Sequence, residues 1–142
     1  MRLPTLAALI LTCLSACSLD PIRTAPLIRS DHPFLGRWTW SYKGCTETYD
    51  HRRDGTASVT SGEEVGASKY TISDQPEQSG YYRLVDTVTQ SNGKTGCDGT
   101  PGGTPIGDRA VLFVRFLPSG NEMLICNTAS LDECVGPLWR VY

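Results

Sequence analysis

Two histidines, six cysteines and the acidic pairs Glu63-Glu64 and Asp132-Glu133 are the residues of this chain best equipped for chemistry. A Ser–His–Asp relay needs a histidine held within hydrogen-bond reach of a hydroxyl nucleophile and an orienting acid. His32 lies in a proline-bearing stretch that reads as a linker, and His51 stands beside Arg52-Arg53-Asp54 at a tight turn. Neither position suits catalysis, and no G-x-S-x-G elbow supplies a serine. The acidic pairs fall in expected loops, where carboxylates are normally solvated; acid–base work would require a cleft that shifts their pKa values. His51-Arg52-Arg53 likewise reads as a solvated hairpin. Gly93, Gly96, Gly99, Gly102 and Gly103 lack the G-x-x-x-x-G-K-[ST] order and open no helix, so they form no phosphate loop. The cysteines include no CxxC pair, which argues against a metal site. The expectation is a protein that is not an enzyme and carries no metal or cofactor.

The cysteines are better explained by where the chain goes. Arg2, the apolar run 6–11 and the small residues that follow have the layout of a secretory signal over 1–16. That run is too short to span a bilayer, which takes about 20 apolar residues. Leu14-Ser15-Ala16-Cys17 resembles the lipobox of bacterial lipoproteins. The resemblance implies cleavage before Cys17, diacylation of its thiol and acylation of the new amine, and two or more acyl chains make a stable anchor. Ser18 follows the lipidated position, where many Gram-negative lipoproteins retained in the inner membrane carry Asp. The resemblance therefore implies the outer membrane, and the expected side is its periplasmic face, which the sequence does not itself distinguish from the outer one. Residues 17–33 hold the lipidated cysteine and a proline-rich, extended tether. With Cys13 lost and Cys17 lipidated, Cys45, Cys97, Cys126 and Cys134 remain, an even count that reads in an exported chain as two disulfides.

The elements that must position these residues are strands. Lys and Arg number 13 against 15 Asp and Glu, a formal net charge of -2 with no basic stripe, which gives nucleic-acid binding no electrostatic support. Short runs of Val, Ile, Thr, Tyr and Trp alternate with Gly and Pro turn signals, the pattern of an all-β domain over 34–142. Strands are expected over 37–43, 46–53, 56–61, 68–73, 80–90, 109–117, 122–127 and 138–142. Asp54-Gly55 and Pro118-Ser119-Gly120-Asn121 mark tight turns, and 91–107 is the one long glycine-rich loop. Eight sequential strands predict an antiparallel up-and-down meander that closes into a small barrel and so removes its free edges. In such a meander alternate turns share an end, and all four remaining cysteines then fall at one end, as disulfide partners require. Three pairings are possible in principle. The preferred one joins Cys126 to Cys134 and Cys45 to Cys97, with the tether entering at the opposite end.

Gly36-Arg37-Trp38 resembles the G-x-W that opens lipocalins and related calycin barrels, families in which a basic residue of the last strand packs over that Trp. The resemblance assigns barrel closure to Gly36, Trp38 and Arg140. It also implies a small-ligand carrier, with Trp40, Tyr42 and Phe113 as candidate contacts to an apolar small molecule; Phe116 has the opposite parity to Phe113, so both cannot line one cavity without a bulge. The alternative is an envelope module that binds another protein, such as a lysozyme-type inhibitor or an assembly accessory, through the 91–107 and 127–137 loops. Small periplasmic lysozyme inhibitors are disulfide-tied β-barrel lipoproteins of similar size.

Overall fold

The computed structural model of the chain describes residues 25–142; the signal, the lipobox and Cys17 lie outside the described residues. Eight strands follow in order: β1 (Gly36–Tyr42), β2 (Cys45–His51), β3 (Thr56–Ser61), β4 (Glu64–Ile72), β5 (Tyr82–Ser91), β6 (Arg109–Phe116), β7 (Glu122–Cys126) and β8 (Cys134–Val141). Each pairs antiparallel with its neighbours in sequence, and β1 pairs with β8, so the sheet is a closed up-and-down barrel. Closure leaves no unpaired edge.

Two strands start earlier than their composition suggests. β4 begins at Glu64 and β8 at Cys134, each four residues ahead of the expected start. Acidic and glycine residues in the first case, and Gly136-Pro137 in the second, dilute the local strand signal. The ladders to β3 and β7 hold them in the sheet regardless.

The period of two along each strand separates an inner from an outer face. Trp38, Ala57, Tyr70, Leu84, Val114, Met123 and Leu138 point inward and form the core together with Phe34. This core fills the end of the barrel where β1 begins. There the chain preceding β1 folds across the opening: Ile28 donates its backbone N–H to the Arg53 carbonyl at 2.8 Å, and Phe34 is fully buried. Arg140 reaches over the Trp38 ring at 4.2 Å from its centroid and donates to the carbonyls of Leu35 and Pro33. Trp38 Nε1 donates to the Phe34 carbonyl at 3.0 Å. Gly36, at φ +101°, brings the chain into β1 beside the Arg140 guanidinium. An arginine over an aromatic face adds about 0.5–2 kcal/mol, more when desolvated. The expected closure residues thus meet in space.

At the other end the two disulfides are Cys45–Cys97, with Cα atoms 5.6 Å apart, and Cys126–Cys134, at 4.0 Å. All four cysteines stand at one end of the barrel, in the preferred pairing. The first bridge fastens the long β5–β6 loop to the β1–β2 turn, and the second ties the base of the β7–β8 loop.

Candidate functional site

The stapled end is hollow. Inward positions near the ends of β1 and β6, and on β7 and β8, carry Trp40, Tyr42, Leu112, Ile125 and Leu138. They line a cavity of about 700 Å³ whose rim includes Asn127, Asp132 and Glu133. Inward positions of β2 to β5 carry Glu47, Tyr49, Val59, Ser61, Glu64, Ser68, Asp86 and Val88, which line a second hollow of about 240 Å³. Glu47, Tyr49 and Asp98 belong to both walls, so the two hollows are neighbours across a shared partition. The total lies in the size range of small-molecule sites.

The aromatic wall has a defined form. Trp40 and Tyr42, two positions apart on β1, stack with ring centroids 5.7 Å apart and planes 5° from parallel. Tyr42 is 56% exposed at the rim, where the Lys43 ammonium sits 5.1 Å above its ring. Phe113 does not join this wall. Val114 on β6 is fully buried and Leu112 and Phe116 pack on the core, so alternation turns Phe113 outward with Val111 and Arg115. Phe116 faces inward but lies deep at the filled end, tilted against Trp38 at 5.9 Å. Of the three expected ligand contacts, Trp40 and Tyr42 face the cavity and Phe113 is corrected to the outer surface.

The polar wall holds itself in place. Tyr49 donates its hydroxyl to Glu47, and Ser61 donates to the same carboxylate at 2.7 Å. Burial and the neighbouring Glu47 keep the Tyr49 phenol protonated far above the ordinary range. Ser61 Oγ also accepts the backbone N–H of Cys97 at 2.9 Å, which couples the long loop to the barrel wall. Glu64 extends this coupling: it accepts the Thr104 backbone N–H at 2.6 Å and the Ser91 hydroxyl at 3.4 Å. Gly103, at φ +67°, passes so close that a Cβ there would stand 2.7 Å from the Lys94 carbonyl oxygen and 2.8 Å from Glu64. Only glycine fits such an approach in that backbone conformation. The 92–108 segment is therefore a clamped cover over one side of the mouth.

The hollow is acidic. Glu47, Glu64, Asp86 and Asp98 line one part and Glu47, Asp98, Asp132 and Glu133 the other, and among the described residues neither wall includes a lysine, arginine or histidine. Desolvation raises the Asp86 pKa. Asp98 is held below the usual carboxylate range by hydrogen bonds from the Thr100 hydroxyl and backbone N–H. Among the described residues no three His, Cys, Asp or Glu side chains converge as a metal would require.

Both histidines stand at the filled end. His32, expected on a free linker, is 2% exposed: its Nδ1 accepts the Phe34 N–H at 3.2 Å and its Nε2 lies 3.1 Å from the Ser73 carbonyl. His51, expected on a solvated hairpin, is 8% exposed, packed on Phe34 at 3.9 Å between ring centroids with planes tilted by 31°, and edge-on to Tyr70. Its Nδ1 has no partner among the described residues, and burial pulls its pKa down to about 3. A neutral imidazole wedged among aromatic rings packs the barrel base and lies away from the hollow.

No family model matches the chain, and no curated protein or solved structure is significantly similar to it. The residues missed from sequence are Glu47, Tyr49 and Asp86. Their signal was present as inward parity on β2 and β5, but polar residues on an inner face announce a cavity only once the barrel is known to close.

Proposed function

We propose that the protein is an exported lipoprotein, acylated at Cys17 and held at the periplasmic face of the bacterial outer membrane, whose barrel is a non-catalytic small-ligand carrier. The signal layout and the lipobox resemblance support the anchor. The observation that supports the carrier is the hollow beneath the stapled end, where Trp40 and Tyr42 stack as one wall of a cavity of about 700 Å³. A barrel built only as a stable spacer would bring its large inward side chains together throughout, as it does around Trp38. Here the interior is packed at one end and left open at the other.

Native mass spectrometry of the acylated protein, extracted gently from envelopes, tests this reading. A stoichiometric small-molecule adduct released on denaturation is expected. Equal native and denatured masses, with only a protein ever retained, would overturn the carrier reading in favour of a protein-binding module acting through the 91–107 and 127–137 loops.

A further inference from the structure

The chemistry of the hollow narrows what it would hold. Three features meet across the two adjoining hollows, whose shared wall is Glu47, Tyr49 and Asp98. The apolar part is a wall of stacked Trp40 and Tyr42 backed by Leu112, Ile125 and Leu138. The polar part carries Glu47, Glu64 and Asp86, with Asp98 at the partition and Asp132 and Glu133 at the rim. Neither part has a basic side chain on its wall among the described residues, and none of these six acids has an ion-pair partner there.

Each feature excludes a ligand class. An anion would approach several carboxylates with no basic side chain on the wall to offset the repulsion, and like charges brought into a shared site of low dielectric are strongly unfavourable. A purely apolar ligand would cover the carboxylates of Glu47 and Asp86, which are hydrogen-bonded to Tyr49, Ser61 and Ser68 but have no counter-charge, and burying a charge without an opposite one is costly. A bare metal ion lacks a converging donor set, since the acids are spread around the wall. An ammonium-bearing ligand satisfies both halves: the charge faces the acidic wall, and the ring faces of Trp and Tyr attract a cation within about 6 Å of their centroids. Lys43 already does this at the rim, its ammonium 5.1 Å over Tyr42.

We propose that the cavity binds an organic cation, an amine or quaternary ammonium joined to an apolar or aromatic body, with the body against Trp40 and the charge toward Glu47 and Asp86. This inference rests on the carrier reading and deepens it. The shared partition gives the geometry: Tyr49, fixed to Glu47 by its hydroxyl, stands where the apolar and acidic parts meet.

The test uses the full chain in phosphatidylcholine nanodiscs, with empty discs subtracted, titrated calorimetrically with three probes of similar shape: 3-phenylpropyl-trimethylammonium, 3-phenylpropanol and 4-phenylbutanoate. The ammonium should bind at least about tenfold more tightly than the alcohol, with the anion weakest, and added salt should erode that advantage. Asp86→Asn should lower the ammonium affinity about fivefold or more while leaving the alcohol unchanged, and Trp40→Leu should weaken both. Because Asp86→Asn removes a desolvated charge, it should not unfold the barrel, and an unfolding midpoint equal to or above that of the parent confirms that. Equal or tighter binding of the alcohol or the anion overturns the cation assignment and leaves the carrier reading standing. Displacement of the ammonium by millimolar calcium, insensitive to Trp40→Leu, overturns it in favour of a metal site. Binding of none of the three, together with no adduct in the native mass spectrum, overturns both readings.

Discussion

The two ends of this barrel are made from the same eight strands and behave as different materials. At the end where β1 begins, Phe34, Trp38, His51, Tyr70 and Met123 close on one another and the residues before β1 cover the opening. At the stapled end Trp40 and Tyr42 stack along one wall, acidic residues line another, the long loop is clamped to one side, and a cavity remains. Stability is concentrated where atoms touch, since each large buried side chain adds both transfer free energy and dispersion contacts. Recognition has to be placed where they do not, and the disulfides hold that emptier end without filling it. The contrast explains why an arginine serves one end and carboxylates the other: Arg140 saturates backbone carbonyls over a filled core, whereas the acids face open space.

The sharpest break in this comparison comes from two tryptophans two residues apart. Trp38→Ala should destabilise the fold by about 3–5 kcal/mol, the cost of emptying a packed aromatic site. Trp40→Ala should cost clearly less and act mainly on ligand binding. Denaturant unfolding of both variants checks the difference, and equal losses would mean that the two ends are packed alike. Next in size is removal of the staples. Replacing Cys45 and Cys97 by serine frees a loop of sequence separation 52 and should cost about 4 kcal/mol on the chain-entropy account. Replacing Cys126 and Cys134, separated by 8, should cost about 2.5 kcal/mol. The first change should also release the cover, seen as faster amide exchange across 92–108, while amides around Trp38 keep their protection.

The filled end has its own pH signature. His51 is neutral in the fold because burial lowers its pKa to about 3, whereas in the unfolded chain it takes up a proton near its ordinary value of 6.5. Its contribution is therefore complete above pH 6.5 and is lost as the pH falls from there toward 3, at up to about 1.4 kcal/mol per pH unit. Unfolding measured over that range should show the slope, and His51→Gln should flatten it. The smallest effect belongs to the hollow end and has the opposite sign. Desolvation raises the folded pKa of Asp86, so its stabilising contribution is present at low pH and lost as the pH rises through that value. Asp86→Asn should thus raise stability slightly at neutral pH, by no more than about 1 kcal/mol, while it weakens cation binding. A destabilised variant would count against Asp86 as a residue kept for a ligand.

Much of this architecture was legible before the structure. Alternation and turn residues marked eight strands, the even strand number permitted closure, and the parity of turns collected four cysteines at one end. These features are local or periodic, and a strand of alternating residues presents the same two faces whatever surrounds it. The closure of the seam by Gly36, Trp38 and Arg140 was implied only by the resemblance of Gly36-Arg37-Trp38 to a G-x-W motif. The face of Phe113 was not legible, because periodicity says which residues share a face and leaves open which face is inside. The burial of His32 and His51 was not legible either, because it depends on Phe34 and Tyr70, brought in from other parts of the chain. Nor could the acidic hollow be read from Glu47, Glu64 and Asp86 singly, each an ordinary polar residue on its own strand. The sequence by itself determined the strands, their order and the end of the barrel at which the cysteines gather, since these follow from backbone preference and spacing, while which cysteines pair was fixed by the fold. Which end filled and which stayed open was decided only when the barrel closed, because a cavity is a property of side chains meeting across the interior from strands far apart in sequence.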